Sequence, residues 1–279
     1  MNPKGRPLGR TLLFGFIIFP LLVTQLYPLI WLLLYSLKSN EEIFSGKILA
    51  LPKEFRFENY VLAVSSGHYI QYLINSIIVT GITLLLLIFL STSAAYVISR
   101  FRFKYSKILL LIFLMGMMLP MQSALLPLMI LLKNLGLLNT YLALILPYTA
   151  FSMPISIFIL SNFMRSIPRE LEESAIIDGA GPIRIFWSLI LPISRPAITT
   201  ISILAFISAW NEYIVAATFI SSEKLKTLPF GAYSFVSQYA VNYGAIGAYL
   251  ILAALPMVII YSILSERITK GMVEGAVKG

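Results

Sequence analysis

The chain has 279 residues, of which 58% are apolar and only 12% are charged. Soluble domains usually carry about a quarter charged residues, so this composition excludes an ordinary soluble protein. The formal net charge of +9 does not indicate a nucleic-acid-binding protein, because the basic residues lie in short loops between long apolar runs rather than on one polar face.

Six apolar stretches predict membrane-spanning helices, since a helix needs about 20 apolar residues to cross a bilayer. They cover residues 12–37, 72–97, 108–130, 141–163, 197–220 and 244–264. The first is too long to be the core of a cleaved signal peptide, so we expect an uncleaved span. The predicted fold is therefore all-α, a polytopic membrane protein with residues 1–279 in a single transmembrane domain. Prolines inside many of the spans indicate a packed bundle with an internal pathway.

The lysines and arginines predict the orientation of these spans. Of the 21 basic residues, 14 fall at the termini and in alternate loops, and 7 fall in the loops on the other side. Cytoplasmic loops carry the excess of lysine and arginine in membrane proteins. We therefore expect both termini and residues 165–195 to be cytoplasmic, and Lys47 to lie outside the cell.

Residues 165–195 form a polar segment between the fourth and fifth spans. Pro168 suits the first turn of a helix, and the glutamates that follow oppose the positive end of the helix dipole. Gly179 and Gly181 are expected to end this helix. A second short helix follows, and its predicted apolar face, resting on the membrane or on the ends of the spans, comprises Ile183, Phe186, Trp187 and Ile190.

The spacing within this segment carries a family resemblance. Glu173, Ala175 and Gly179 are followed after nine residues by Leu189-Ile190-Leu191-Pro192. This pattern resembles the cytoplasmic "EAA" loop of the membrane subunits of bacterial ABC importers, with Ser174 in place of the usual alanine. The resemblance implies a type I importer permease fold in the bacterial inner membrane. It also implies a coupling helix that docks in a cleft of an ATPase subunit, with coupling residues Glu173, Ser174, Ala175, Asp178 and Gly179. We further expect Ala175 and Gly179 to form a smooth spot for close approach.

Two further stretches resemble the carbohydrate, maltose-type branch of these permeases. One is Trp210-Asn211-Glu212-Tyr213, and the other is the C-terminal tail from Gly275 to Gly279. In that branch the tail reaches into the ATPase dimer.

Glu212 is the one carboxylate predicted inside a span, where an ionisable side chain is costly and is by default a functional candidate. It either borders a substrate path or holds the bundle together through a polar partner on a neighbouring helix. Asn211, Gln122 and Ser123 are the other candidates for the path, although polar contacts between helices would explain them equally well.

Several kinds of site have no counterpart in the sequence. There is no phosphate-binding G-x-x-x-x-G-K-[ST] motif, no cysteine, and a single histidine, His68. We therefore expect a non-catalytic subunit with no cofactor or metal of its own, and ATP with its magnesium bound by a partner.

The predicted function is that of a permease subunit in an ATP-driven importer for an oligosaccharide. Its implied partners are a second homologous permease subunit, two ATPase subunits, an extracytoplasmic solute-binding protein, the carbohydrate and membrane lipid, with no nucleic acid. Three alternatives stay open: an importer for a polyol, glycerol phosphate or amino-acid-like solute, an ion-coupled secondary transporter that uses Glu212, and an intramembrane enzyme or assembly factor.

Overall fold

The structure, a computed structural model, describes residues 8–45, 50–101, 103–236 and 241–276. Regular structure in these ranges is helical, apart from an isolated bridge between Val236 and Val241. The expected all-α class is therefore confirmed. Lys47 and the last three residues of the tail lie outside the described residues.

The helices follow one another in this order. The first part of the chain contains α1 (Leu8–Ser36), α2 (Asn40–Phe44), α3 (Glu58–Ser65) and α4 (Tyr69–Arg100). The middle contains α5 (Ser106–Gly116), a 3-10 turn (Met121–Ala124), α6 (Leu125–Asn134) and α7 (Leu142–Ser166). The polar segment contains α8 (Glu170–Ile177), α9 (Pro182–Ile185), a π turn (Phe186–Ile190) and α10 (Leu191–Ile193). The last part contains α11 (Arg195–Trp210), α12 (Ile214–Phe219), two 3-10 turns (Glu223–Leu225 and Leu228–Phe235) and α13 (Tyr243–Ala276).

Four helices within the described ranges are long and apolar enough to cross a membrane by themselves. They are α1, α4, α7 and α13, and they match the predicted first, second, fourth and sixth spans. Two bent helix pairs bring the number to six when each pair is counted as one span, namely Ser106–Gly116 with Met121–Asn134 and Pro182–Ile193 with Arg195–Trp210. The first member of the second pair belongs to the polar segment 165–195. The prediction of a polytopic bundle is thus confirmed, while the third and fifth spans differ from their predicted form.

The third span is broken rather than continuous. α5 ends at Gly116, and the segment Met121–Asn134 runs at 87° to it. Just beyond α5, the backbone N–H groups of Met117 and Met118 bond to oxygens three residues back, so the chain continues as a tighter 3-10 turn. Pro120, which has no N–H to donate, completes the break. The sequence predicts a proline kink here, and the bend exceeds a kink.

The fifth span is also interrupted. The sequence predicts a continuous helix over residues 197–220, but α11 ends at Trp210 and the short helix α12 begins only at Ile214. The polar pair Asn211 and Glu212 lies in the break. α11 alone is about 24 Å long, which is shorter than the apolar core of a bilayer at about 30 Å, so α11 does not span it by itself.

Contacts group the chain into two compact units. One comprises Met1–Tyr69 with Gly231–Leu255, and the other comprises Ile70–Phe230 with Pro256–Gly279. In the first unit, the Asn59 side chain on α3 donates to the backbone oxygens of Ser36 (2.9 Å) and Lys38 (3.1 Å), which fastens α3 to the end of α1. That the whole chain acts as a single permease domain stays a prediction.

The second unit carries both candidate sites and has two apolar cores. One core surrounds Tyr148 on α7 and includes Val215 and Phe219 of α12. The other joins the last turns of α4 and α7 to the polar segment, and its buried members include Tyr96, Met164, Phe186 and Ile190. Residues 165–195 are therefore packed against the helix ends and are not a loose connector.

Candidate functional site

The first helix of the polar segment, α8, forms much as predicted but starts later. It begins at Glu170, so Pro168 precedes the helix instead of occupying its first turn. Three glutamates, Glu170, Glu172 and Glu173, lie in that first turn, where the helix dipole favours negative charge.

The end of α8 explains why an alanine and a glycine stand four residues apart. Gly179 has φ +80°, a left-handed conformation that side chains other than glycine rarely adopt. Its N–H donates to the Ile176 oxygen (2.9 Å), and the Ala180 N–H donates to the Ala175 oxygen (2.9 Å). These two bonds form a Schellman motif, the commonest glycine-dependent end of a helix. The spacing therefore specifies where α8 stops.

Ala175 does not lie on the exposed surface that the sequence predicts. It is half-buried and packs, together with Ala180, against the second apolar core. In a Schellman motif these two positions often carry apolar side chains. The predicted smooth spot is thus divided, since Ala175 faces the chain's own core and Gly179 alone is exposed.

The surface that we call the outward face of α8 includes the exposed residues Glu173, Ser174 and Ile177 of the helix and Asp178, which follows it. Ile177 is 86% exposed, which is unusual for a large apolar side chain in a polar, charge-rich loop. The Ser174 hydroxyl donates to the backbone oxygen of Glu170 (2.8 Å) and so stays close to the helix surface. Ile176, the residue before Ile177, is 60% exposed, so the end of α8 presents two neighbouring large apolar side chains, and an exposed apolar patch is typical of a surface that another protein covers.

The second half of the segment buries only part of its predicted apolar face against the chain's own core. Phe186 and Ile190 are buried as expected, but Ile183 is 77% exposed and Trp187 is 52% exposed, while Ile185 is buried instead. The segment contains a π turn over Phe186–Ile190, in which bonds span five residues, so the buried face there departs from that of a regular helix. A regular period of 3.6 residues could not reveal this departure.

Glu212 lies in the break between α11 and α12 and has three hydrogen-bond donors. Its carboxylate accepts from the backbone N–H groups of Val215 (3.0 Å) and Ala216 (3.3 Å). The hydroxyl of Tyr148, a buried side chain on α7, donates to the same carboxylate at 2.9 Å. Glu212 therefore caps α12 and joins it to α7. The sequence alone does not single out Tyr148, because one tyrosine in an apolar span gives no signal of its partner.

Three of the four path candidates also line one cavity. The cavity has a volume of about 580 Å³, and Gln122, Asn211 and Glu212 lie along it. Ser152 and Ser208 add hydroxyl groups to its wall, whereas Ser123 is not part of the lining. The structural role of Glu212 and its place beside the cavity are thus compatible, because the residue both caps α12 and lines the cavity.

Comparisons with known proteins agree with this architecture. Residues 88–274 match the protein family described as the binding-protein-dependent transport system inner membrane component. The permease protein of a diacetylchitobiose uptake system from Streptomyces coelicolor is 34% identical over 255 residues, which cover 91% of this chain and 84% of the relative. The permease protein of a trehalose/maltose transport system from Thermococcus litoralis is 34% identical over 258 residues, covering 91% and 92%.

A solved structure shares the fold. It is a chain of a bacterial ABC transporter involved in the import of the acidic polysaccharide alginate, with a TM-score of 0.79 and 21% identity. The match covers 95% of this chain and 99% of that chain. The family match spans more than half of the sequence, and the resemblance in the loop is thereby confirmed. The chain therefore belongs to the family of inner membrane components of binding-protein-dependent transport systems, as a multi-pass membrane subunit with the type I ABC importer permease fold.

Proposed function

We propose that this chain is one of two membrane subunits of an ATP-driven importer for an oligosaccharide, and that α8 couples it to the ATPase. The single observation that carries the proposal is the construction of α8. Its inner side packs against the core of the chain, its end is fixed by Gly179, and its outward face presents Ile177 between carboxylates. A helix held on one side and uncovered on the other is suited to receive force from a partner.

The partners follow from what this chain has and lacks. It has no phosphate-binding motif, so ATP and magnesium would be bound by two copies of a separate ATPase subunit. A second homologous permease subunit would complete the path, and a solute-binding protein outside the membrane would deliver the substrate. In this arrangement the chain itself catalyses no reaction. The excess of basic residues supports a cytoplasmic position for α8 and for both termini.

The carbohydrate is supported by the relatives and by the cavity beside Glu212. Two relatives that cover almost the whole chain act in the uptake of diacetylchitobiose and of trehalose or maltose. The cavity offers amide, carboxylate and hydroxyl groups from Gln122, Asn211, Glu212 and Ser152, which can bond to sugar hydroxyls. Apolar and aromatic residues that include Phe151 complete the wall. Weak polar contacts of this kind suit a path, since a substrate must leave as well as enter.

Uptake by the reconstituted complex tests this function. The chain, its permease partner and the ATPase are placed in liposomes with ATP inside, and a panel of labelled oligosaccharides is offered with the binding protein. We expect uptake of at least one oligosaccharide that requires enclosed ATP and does not respond to an imposed proton gradient. Uptake driven by the gradient without ATP would instead identify an ion-coupled transporter. Uptake of only glycerol phosphate or a polyol would correct the substrate class.

A further inference from the structure

A buried arginine ends the second span. Arg100 is the last residue of α4, and its exposed fraction is only 9%. The sequence alone identifies Arg100 only as one of the basic residues that predict the orientation of the membrane spans. A residue with that role alone would extend into water, because an arginine is almost never fully buried unless it is paired. Its burial therefore calls for a specific partner.

The guanidinium of Arg100 joins three helices. Its Nη2 donates to the backbone oxygen of Ile167 at 3.0 Å. Ile167 caps the C-terminus of α7, where backbone oxygens lack partners within the helix. Its Nε lies 2.7 Å from Oε1 of Glu172 in the first turn of α8, as an ion pair rather than an aligned hydrogen bond. One side chain thus links the ends of α4 and α7 to the start of α8.

The other half of the polar segment is held by the same part of α4. Tyr96, one turn before Arg100, donates its hydroxyl to the backbone oxygen of Pro182 at 3.3 Å. The ring of Tyr96 also packs against Phe186, with the ring centroids 5.1 Å apart. The last turn of α4 therefore contacts both helices of the segment.

α8 itself has few other attachments to the chain. Among its eight residues, only Glu172 and Ala175 are not exposed. Ala175 contributes one methyl group, so most of the polar attachment depends on Glu172. Glu172 and Glu173 are adjacent but lie on different sides of the helix. Glu172 faces Arg100, and Glu173 faces solvent.

We propose that Arg100 is a positioning residue that fixes α8 to the end of α4 through Glu172. When a partner displaces the outward face of α8, the spanning helix α4 then moves with it. Without this attachment, α8 would instead rotate relative to the apolar core. This inference rests on the proposed coupling function, and it adds the residues through which the movement enters the membrane domain. Removal of one partner of a buried ion pair leaves the other charge unpaired, so the effect of either single change is large.

The test uses Glu172→Gln and Arg100→Gln in the reconstituted complex, with Glu170→Gln as the matched control. Glu170 is an exposed carboxylate in the same first turn of α8, so its change removes the same charge without touching the pair. We expect Glu172→Gln to keep the ATPase subunits bound and to lower the stimulation of ATP hydrolysis by substrate roughly fivefold or more. Glu170→Gln should keep the stimulation of the unchanged complex. The double variant Arg100→Gln/Glu172→Gln should be no worse than the more severe single one, because a pair acts as a unit.

A distance measurement separates positioning from simple stabilisation. The chain has no cysteine, so spin labels can be placed at Ile176→Cys on α8 and Val97→Cys on α4. We expect one narrow distance distribution with and without ATP in the unchanged complex, and a distribution that changes with ATP in Glu172→Gln.

Three results would overturn the inference. The first is full stimulation of ATP hydrolysis in Glu172→Gln with an unaltered distance between the two labels. The second is a loss of stimulation in Glu170→Gln as large as that in Glu172→Gln. The third is dissociation of the ATPase subunits from the Glu172→Gln complex. If the unchanged complex itself shows no stimulation by substrate, the proposed function fails first. Arg100→Gln removes both contacts of Arg100, so it is also expected to lower the stability of the fold. Glu172→Gln is therefore the deciding variant, because it leaves the bond from Arg100 to Ile167 in place.

Discussion

Gly179→Leu is expected to abolish the stimulation of ATP hydrolysis by substrate, although the protein still inserts into the membrane. A side chain at φ +80° costs about 1–2 kcal/mol and loosens the Schellman end of α8. A Cβ atom at Gly179 would meet nothing within 4 Å in this chain, so the leucine would extend outward beside Ile177 and Asp178. A bulky group at a packed contact with a partner costs about 1–3 kcal/mol more. In the assembled complex both the backbone strain and the bulk of the leucine weaken coupling. In the isolated chain only the backbone strain acts.

Matched variants separate these two effects. Gly179→Asn keeps much of the helix end, because asparagine visits the left-handed conformation more readily than other residues, and it should retain part of the stimulation. Gly179→Ala adds strain with little bulk and should fall between asparagine and leucine. Glu173→Ala removes only an exposed charge, which is worth about 1 kcal/mol or less in a pair, so its effect should be the smallest. Full stimulation with Gly179→Leu would show that α8 is not the coupling helix.

Glu212→Leu is expected to cause the largest loss of stability among single changes in the fifth span. It leaves the N–H groups of Val215 and Ala216 without their acceptor and the hydroxyl of Tyr148 without its partner. Each unsatisfied group costs about 1–3 kcal/mol, because Val215, Ala216 and Tyr148 are buried. We expect a lower midpoint of thermal unfolding in detergent and a poor yield of assembled complex.

Two milder variants distinguish the structural role of Glu212 from a role in the path. Glu212→Gln keeps a side-chain oxygen that can accept from the same donors, so the complex should assemble while transport changes. Tyr148→Phe removes one hydrogen bond and leaves the carboxylate, so it should lower stability by about 1 kcal/mol. Tyr148 also lines the cavity, but its ring stays in place, so transport should change less than in Glu212→Gln. If transport by Glu212→Gln matches that of the unchanged protein, Glu212 has a structural role only.

The apolar runs predict most of the fold, because a membrane span is specified by length and composition. α4, α7 and α13 lie where the sequence places them. The breaks at Pro120 and at Asn211 are harder to predict, since whether an interruption bends or ends a helix depends on which neighbours accept the freed backbone groups. At Asn211 the freed N–H groups of Val215 and Ala216 bond to the Glu212 carboxylate, which also accepts from Tyr148, a residue distant in sequence.

The polar segment 165–195 likewise has some features that depend on nearby residues and others that depend on residues distant in sequence. Gly179 is predicted as a helix end, and the left-handed conformation is a local requirement that a sequence can display. The inward position of Ala175 and the pairing of Arg100 with Glu172 depend on packing between separate helices. The π turn at Phe186 follows from the same packing, since it buries Phe186 and Ile190 together with Ile185. None of these contacts leaves a periodic signal in the chain.

The most direct test of the coupling account is a photo-crosslink from Ile177. A photoreactive amino acid replaces Ile177, the most exposed large apolar side chain of α8, and the assembled complex is illuminated in its native membrane. The same substitution at Phe55, an exposed residue of the segment predicted to lie outside the cell, serves as the control. We predict a crosslinked product from Ile177 whose partner peptides belong to a protein with a phosphate-binding ATPase motif, and no such product from Phe55. A crosslink to that ATPase from Phe55, or its absence from Ile177 in a complex that still hydrolyses ATP in response to substrate, would contradict the account.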